Sequence, residues 1–512
     1  MTSSGHARAG AAAANVEGEE SIRRNAGFAF VVNMSGAVFT AALTLFLVRA
    51  LGPEGYGLYA LALSITALLV LPSDFGISTA AARFVAERRG DRTAVAAIVR
   101  DALRLKVVIA LSVSTTLFLA SGPVARAYGE PSLDWPLRAM ALVLLAQSLL
   151  QLIGGTFAAH GRMIANLKIG LSASAVELGT VVPIVLLGGA AAGAAFGRAA
   201  GWGVALAVGI VELARFHGRA AFGLGRRSSG TTRRIAGYAG ALLIVEAAYA
   251  LFDQIGTILI GGYIGAAAVG VFQAPLRLVA LLHLPALAVA TAVAPRLARH
   301  ERLEPNVPAF QFALRWLIVL QSATIAPLIV WAEPIVNLLL GSEYEESVNV
   351  LRAMTPYIFL TGIAPLVSLA ANYLGRARLR IPFALTALVV CVAIDVVLIP
   401  RIGVIGAAVG SVAGFAVYVL GHLGICRSAL GLPLAPVAAT VGRSLLAAAV
   451  AAAALAAFGV HELAVWEWFA GATLASAAFV GTLLATREIS RSDLGDVLRT
   501  VRRALGATMR GA

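Results

Sequence analysis

Charged side chains inside long apolar segments are the residues of this chain best able to do chemistry. A charge at membrane depth costs at least ~2.5 kcal/mol on insertion scales, so each one needs a partner or a task. Cationic side chains can hold anionic ligands, and carboxylates can hold cations. The residues concerned are Asp74, Arg83, Arg104, Lys106, Glu177, Glu246, Asp253, Arg277 and Asp395.

The sequence contains no pattern typical of an enzyme. It has no His/Glu metal pair, no phosphate-binding glycine loop followed by Lys-Ser or Lys-Thr, and no Gly-x-Ser-x-Gly elbow. The two cysteines, Cys391 and Cys426, lie in or beside apolar runs and form no ligand spacing. We therefore expect no enzyme activity, no metal and no cofactor other than a coupling Na⁺ or H⁺, with energy from a membrane potential or ion gradient.

The composition is that of a membrane protein. The 512 residues are 59% hydrophobic and 13% charged, against roughly 25% charged in soluble domains. Apolar runs of about 20 residues recur along the chain, which is the length that a spanning helix needs. The first residues lack the apolar core of a signal peptide. The net charge of +14 reflects arginines between apolar runs, where topology requires them, and does not indicate nucleic acid as a partner.

A repeat organises the sequence. Leu137–Met140 (LRAM) recurs as Leu351–Met354, and each copy is followed by a Gly-Arg pair. Further matches hold nearly the same offset of about 213 residues, which indicates two homologous halves. These matches pair Gly52 with Gly265, Gly57 with Gly270, Pro72 with Pro285, Arg83 with Arg296, and 193–197 with 406–410.

We predict an all-α polytopic protein with about fourteen transmembrane helices. The expected spans are 27–49, 58–87, 96–120, 136–158, 164–187, 192–215, 235–260, 266–295, 308–331, 347–373, 380–399, 404–425, 436–458 and 465–486. The predicted organisation is a disordered tail (1–22), a six-helix bundle (23–215), a basic cytoplasmic linker (216–234), a second six-helix bundle (235–426), two extra helices (427–486) and a basic cytoplasmic tail (487–512).

Charge asymmetry predicts the orientation. With a cytoplasmic N-terminus, most of the Lys and Arg residues fall on cytoplasmic loops or helix ends, whereas the outer loops are acidic. This distribution follows the positive-inside rule and places both termini in the cytoplasm. Six spans in each half make the repeats parallel, so that a substrate is expected between them near the midplane.

Several turns resemble those of one family. The segment Leu51–Tyr59 (LGPEGYGLY), with Asp74-Phe75-Gly76 and Arg83, is similar to the opening of the bacterial polysaccharide-transport and oligosaccharide flippase family, which belongs to the multidrug/oligosaccharidyl-lipid/polysaccharide exporter superfamily. The similarity extends over about residues 22–486. Its further motifs are Gly341–Tyr344, Asn372–Arg376 and Gly403–Ala408.

The resemblance implies a fold and a function. The fold would be two parallel-repeat six-helix bundles in a V shape, followed by two C-terminal helices. The function would be to flip undecaprenyl-diphosphate-linked oligosaccharide from the cytoplasmic to the outer leaflet by alternating access, in a bacterial cytoplasmic membrane. Such a protein would serve cell-surface polysaccharides such as O-antigen or exopolysaccharide. Expected partners are the glycan carrier, the bilayer, and polymerase and glycosyltransferases of the same pathway.

Arginine suits a diphosphate because guanidinium binds phosphate oxygens in a bidentate fork. Arg277 is the leading candidate for this role, with an ion pair to Asp253 as the alternative or resting state. Arg83 and Arg296 could collect an anionic headgroup at the cytoplasmic mouth, or serve topology alone. The remaining candidates for substrate binding are Asn33, Arg104 and Lys106, although packing between helices explains Asn33 equally well.

Five residues are candidates for ion coupling or gating. Asp253 and Glu246 are seven residues apart and share one helix face, so they could bind a coupling cation or balance inward arginines. Asp74 could cap a helix after the kink or contact substrate or ion. Pro72 and Pro285 would kink equivalent helices, for gating or for packing.

Three other functions remain open at this stage. One is a non-transporting membrane scaffold, against which the polar residues inside the spans argue. A cation-coupled multidrug antiporter of the same fold would require an acidic cavity. A membrane glycosyltransferase or polymerase acting on lipid-linked glycans would require a large outer loop, and the longest outer loops expected here, 121–135 and 332–346, are short.

Overall fold

The computed structural model describes residues 3–88, 91–218, 229–297, 306–490 and 492–493. Within these ranges, the side chains of residues 3–35, 37, 92, 229–244, 278, 280–281, 284 and 295–296 are not described. The described regular structure is helical throughout, without strands, as the sequence predicts. The chain divides into two compact units, one ending at Leu278 and the other beginning at Val279.

The first unit contains eight α-helices. They are α1 (Ser3–Asp74), α2 (Ile77–Glu87), α3 (Arg92–Ala127), α4 (Asp134–Ala159), α5 (Met163–Leu186), α6 (Ala190–His217), α7 (Ser229–Tyr263) and α8 (Ala266–Val279). Residues 3–22, for which the sequence predicts a disordered tail, form part of α1. Gly52, with φ 64° and ψ −179°, interrupts the helical geometry of α1 just before Pro53, so the two expected first spans follow one another without a loop.

The second unit contains nine α-helices in the described ranges. They are α9 (Leu284–Val293), α10 (Val307–Val330), α11 (Ala332–Leu339), α12 (Ser347–Thr361), α13 (Ala364–Tyr373), α14 (Arg380–Ile402), α15 (Val404–Leu430), α16 (Leu434–Ala456) and α17 (Val465–Ala485). Their core includes Val319 of α10, Ala447 and Leu455 of α16, and Phe479 and Leu483 of α17, which pack these three helices together.

Eleven stretches of the described chain are long and apolar enough to cross a membrane, which fits a multi-pass protein with about fourteen spans. They are Val38–Asp74, Thr93–Ala127, Pro131–Ala159, Met163–Leu186, Ala190–His217, Val307–Val330, Ser347–Tyr373, Ala377–Ile402, Val404–Leu430, Leu434–Ala456 and Val465–Ala485. The expected span 266–295 is not among them, because a 3-10 helix (Ala280–His283) divides it into the shorter α8 and α9.

The two prolines do not mark the helix breaks themselves. Pro72 remains inside α1, and the chain turns at Phe75 and Gly76, both with positive φ, before α2 begins. Pro285 lies in the first turn of α9, after the 3-10 helix. Proline has no N–H to donate, so the first turn of a helix accommodates it without loss of a hydrogen bond.

The sequence repeat corresponds to repeated local structure. Gly161 follows α4 with φ 70°, and Gly375 follows α13 with φ 71°. The next residue closes the same turn in each case: Arg162 N–H donates to the Phe157 carbonyl and Arg376 N–H to that of Ala371, both at 2.9 Å. Left-handed glycine at a helix C-terminus commonly forms such a turn, so the paired Gly-Arg motifs are helix-ending signals.

A second pair of repeated glycines brings two helices into close contact. A Cβ on Gly57 would overlap the carbonyl oxygen of Ala266, and a Cβ on Gly270 would overlap that of Pro53. The contact is reciprocal, since Pro53 and Ala266 stand at the same offset as the two glycines. The backbones of α1 and α8 therefore touch directly. Small residues at helix interfaces permit this closeness in membranes.

We expect Gly57→Ala and Gly270→Ala to destabilise the protein, because the added methyl meets a rigid backbone carbonyl. Overpacking of this kind costs about 1–3 kcal/mol. Thermal unfolding of the purified protein in detergent, followed by tryptophan fluorescence, measures the effect. Gly203→Ala in α6 is the control, since its Cβ would have no neighbour within 4 Å. If all three variants unfolded at the same temperature, α1 and α8 would not be in tight contact.

The end of α17 is held by one carboxylate. Glu488 lies just after the last span with its side chain 2% exposed, and accepts from Arg315 (2.9 Å), Arg443 (3.0 Å) and Thr440 (2.8 Å). Burial by itself would raise the pKa of Glu488, but its three donors together hold that pKa below the ordinary value. This carboxylate therefore ties α10 and α16 to the segment that follows α17.

We expect Glu488 to make stability depend on pH at the acidic end. A depressed pKa stabilises the folded state above the ordinary glutamate pKa, and this contribution is lost as pH falls through the folded pKa. Glu488→Gln should melt at lower temperature than wild type at pH 7 and show a smaller loss of stability below about pH 4.5. Thermal unfolding across pH tests this, with exposed Glu343→Gln as the control. If the unfolding temperatures of wild type and Glu488→Gln fell by the same amount with decreasing pH, Glu488 would not be the source of the pH dependence.

Candidate functional site

A cavity of about 220 Å³ opens inside the first unit. Its wall comes from α1 on both sides of the Gly52 break and from α4, α5, α6, α7 and α8. The residues that line it are Phe39, Thr40, Leu43, Thr44, Leu47, Tyr56, Tyr59, Leu63, Thr66, Ala67, Val143, Gln147, Ser174, Glu177, Leu178, Arg198, Gln254 and Arg277. About half of these side chains are polar, which is unusual within membrane-spanning helices and indicates a site for a polar ligand.

Two of the three charged residues of the cavity neutralise each other. Arg198 of α6 donates from an Nη to Oε1 of Glu177 in α5 at 2.6 Å. The glutamate side chain is 10% exposed and the arginine side chain 24%. Pairing lowers the cost of holding both charges in a medium of low dielectric constant.

Glycines on α6 place that ion pair. A Cβ on Gly197 would press on Val181, and one on Gly201 would press on Glu177 itself. The Thr180 hydroxyl of α5 also donates to the Gly197 carbonyl at 3.0 Å. The two helices therefore run close together at the point where Glu177 and Arg198 face each other.

Arg277 is the third charge, and it is exposed to the cavity. The described part of the chain offers it no ion pair. Asp253, the partner considered from sequence, instead accepts a hydrogen bond from Gln254, while Arg277 acts on it only through longer-range attraction. The cavity therefore carries one net positive charge, and its guanidinium fork is available to an anion.

Helix α8, which carries Arg277, is fixed at several points. Its first residue, Ala266, donates its N–H to Glu130 Oε1 at 2.9 Å. Gly270 lies against Pro53, and Gln273 hydrogen-bonds to Thr257 of α7. Arg277 occupies the last turn of α8, where the helix dipole favours a cation.

Asp74 and Lys106, both candidates from sequence, lie outside this cavity and bind each other. Lys106 is fully buried and donates to Asp74 Oδ1. The same oxygen accepts from the hydroxyl (2.5 Å) and the backbone N–H (3.3 Å) of Ser78 in the first turn of α2. This geometry joins α3 to the break between α1 and α2. Pro72 is half-buried near that break, on α1.

The other candidates whose side chains are described do not line the cavity. Arg104 is half-buried on α3, and exposed Arg83 pairs with Glu87 at 2.9 Å within α2. Glu246 and Asp253 are both exposed on α7, and Pro285 is exposed on α9. The side chains of Asn33, on α1, and Arg296, in the 3-10 helix Ala294–Leu297, are outside the described ones.

Sequence reasoning did not assign several residues of the cavity to a site. Glu177 is among the embedded charges of the sequence but has no role assigned to it, and Arg198 is not among the candidates. The sequence does contain an indication of their pairing, because this acid and this base occur on consecutive apolar segments. Gln147, Gln254 and Tyr59 gave none, because uncharged polar residues recur throughout the chain.

A comparison with known protein families identifies the family of this chain. Residues 22–301, more than half of the chain, match the family described as polysaccharide biosynthesis protein. The chain belongs to the polysaccharide biosynthesis protein family. No curated protein matches its sequence.

Solved structures identify the fold of this polysaccharide biosynthesis protein. "Lipid II flippase MurJ, inward closed conformation" superposes with a TM-score of 0.69 over 91% of this chain and 99% of that chain, at 12% identity. An inward-facing "multidrug resistance MATE family transporter of the MOP superfamily" gives 0.64 over 78% and 98%, at 16% identity. An outward-facing MATE structure gives 0.58 over 80% and 95%, at 19% identity. The chain therefore has the fold that these MurJ and MATE structures share.

We expect Asp74→Asn to destabilise this polysaccharide biosynthesis protein strongly, because it leaves the buried Lys106 ammonium without a counter-ion. Breaking a buried pair costs about 3–5 kcal/mol. Adding Lys106→Met should restore much of that loss, and a double-mutant cycle of thermal unfolding measures the coupling. Lys168→Met, which breaks the partly exposed pair with Glu212, is the control, with a cost of about 0–1 kcal/mol. If the double variant were as unstable as Asp74→Asn alone, the two side chains would not be coupled.

Proposed function

We propose that this protein is a flippase for undecaprenyl-diphosphate-linked oligosaccharide, which it moves from the cytoplasmic to the outer leaflet during cell-surface polysaccharide synthesis. The family and the transporter fold support a role in membrane transport for such a pathway. In this proposal the protein lies in a bacterial cytoplasmic membrane with both termini inside. It acts beside the glycosyltransferases that build the glycan and the polymerase that consumes it, and is not itself an enzyme.

The observation that carries the proposal is the charge of the cavity. Glu177 and Arg198 cancel, so Arg277 alone sets the sign. A diphosphate is an anion that a guanidinium can hold with two parallel hydrogen bonds. The multidrug antiporter alternative would need an acidic cavity for organic cations, and this cavity has the opposite sign. The antiporter hypothesis therefore has less support than the flippase hypothesis, although both functions occur on this fold.

Alternating access supplies the movement in this proposal. The contact of α1 with α8 at Gly57 and Gly270 lies on two helices that also form the cavity wall. Separation of these helices would open the cavity on that side. The driving force would be the membrane potential or a gradient of Na⁺ or H⁺, with the exposed carboxylates Asp253 and Glu246 of α7 as the groups to test for coupling.

We expect Arg277→Ala to reduce flipping of a labelled undecaprenyl-diphosphate glycan in proteoliposomes by about tenfold to a hundredfold, the range for loss of a hydrogen bond to a charged group. Arg277→Lys should lie between this variant and wild type, because it keeps the charge but loses the fork. Exposed Arg401→Ala, outside the cavity, is the control.

Insertion and monodispersity of each variant must match wild type for these rates to be compared. Equal rates for Arg277→Ala and Arg401→Ala would remove Arg277 from the mechanism. Exchange of organic cations for H⁺ or Na⁺ by the wild type, without movement of any lipid-linked glycan, would overturn the flippase proposal in favour of the antiporter.

A further inference from the structure

The turn between α7 and α8 is tied to the first half of the sequence repeat by a carboxylate. Glu130, which lies between α3 and α4, accepts a hydrogen bond at Oε1 from the N–H of Ala266 at 2.9 Å. Ala266 is the first residue of α8 and is 1% exposed, so its N–H has no partner within the helix and little access to water. A carboxylate suits this position because the N-terminus of a helix carries a partial positive charge.

Two packing contacts accompany this hydrogen bond. A Cβ on Gly261, near the end of α7, would lie 3.2 Å from Cε1 of Tyr128. Gly57 of α1 lies against the carbonyl of Ala266 itself. The segment that follows α3 and the helix α1 therefore both contact the end of α7 or the start of α8, and Glu130 supplies a charged group to this interface.

The N–H that Glu130 binds has no counterpart in the other half of the repeat. Ala266 corresponds to Pro53 at the offset that relates Gly57 to Gly270, and proline has no N–H. The packing of the two glycines is therefore reciprocal, whereas the hydrogen bond of Glu130 occurs in one direction only. The repeat by itself does not produce this bond.

The interface adjoins the cavity of the first unit. Tyr56, the neighbour of Gly57, lines that cavity together with Gln254 of α7 and Arg277 of α8. Movement of the α7–α8 turn away from Glu130 would therefore displace two helices of the cavity wall. In the orientation proposed above, α3 ends at the outer face of the membrane, so this movement would open the outer side.

We propose that Glu130 is the latch of an outer gate, and that its bond to the N–H of Ala266 holds α8 against the first half of the chain until the cavity opens to the outside. The inference rests on the proposed flippase function and names a contact that must break in each transport cycle. A hydrogen bond to a charged group is stronger than a neutral one. A single bond of this kind biases the closed state and can still break and form again.

The test measures access to the cavity, which requires no substrate. Ser174, which lines the cavity on α5, is replaced by cysteine in the full-length protein, whose native Cys391 and Cys426 are buried. Sulfonatoethyl methanethiosulfonate, a thiol reagent that does not cross membranes, labels from outside in spheroplasts and from inside in inverted vesicles. The readout is the ratio of the outer to the inner labelling rate, and the chain without Ser174→Cys gives the background.

We expect Glu130→Ala to raise this ratio by about tenfold to a hundredfold, the range for loss of a hydrogen bond to a charged group. Glu130→Gln keeps an acceptor without the charge and should give a smaller increase. In both variants outer labelling should rise while inner labelling falls, because one population grows at the expense of the other.

The matched control is Asp134→Asn. Asp134 is a second carboxylate close to Glu130 in sequence, but it pairs with Arg138 of its own helix, α4, at 3.0 Å. This variant should keep the labelling ratio of the parent protein.

Three results would overturn the latch. In the first, Glu130→Ala leaves the ratio unchanged. In the second, outer and inner labelling rise together, which indicates a loosened fold. In the third, Asp134→Asn changes the ratio as much as Glu130→Ala. Failure of the proposed function is detected separately, because wild type would then move no labelled undecaprenyl-diphosphate glycan in proteoliposomes while the labelling ratio still responded to Glu130.

Discussion

The cost of a charge in the hydrocarbon layer governs where this chain places its ionisable side chains. Lys106 is fully buried and pairs with Asp74, and Glu177 pairs with Arg198 across two helices. Asp395 in α14 is buried against Cys391, whose thiol lies 3.5 Å away. Arg277 differs from these residues because it lines the cavity without an ion-pair partner among the described residues. A charge with space around it can bind a ligand, while a paired charge mainly holds helices together.

Glycine makes this arrangement possible. Lipid does not drive helices together as water does, so close packing of small residues must contribute. Gly57 and Gly270 let α1 touch α8, and Gly197 and Gly201 let α6 approach α5. The first contact positions the helix of Arg277, and the second places Arg198 beside Glu177. The cavity therefore depends on residues that never face it.

The proposed substrate has two chemically distinct parts, and the cavity has two corresponding kinds of group. Arg277 offers a cationic fork, and the lining residues Gln147, Gln254 and Tyr59 carry groups that can form hydrogen bonds to hydroxyls. Recognition by hydrogen bonds to hydroxyls is selective because a substrate without them leaves buried groups unsatisfied. A flippase built in this way would select a glycan as well as a lipid diphosphate.

The sequence by itself determined that this is a polytopic helical protein with an internal repeat, and its turn motifs indicated the family that the comparison then established. These properties are local or periodic: apolar length, helix-ending Gly-Arg pairs and charge between spans. The tertiary structure alone decided which embedded charges pair and which line the cavity. Arg104, Lys106 and Arg277 look alike in sequence, but the direction of each helix face and the approach of neighbouring helices give them different surroundings. Gln254 and Arg198 entered the site for the same reason, since contacts between distant segments are not encoded in the local pattern.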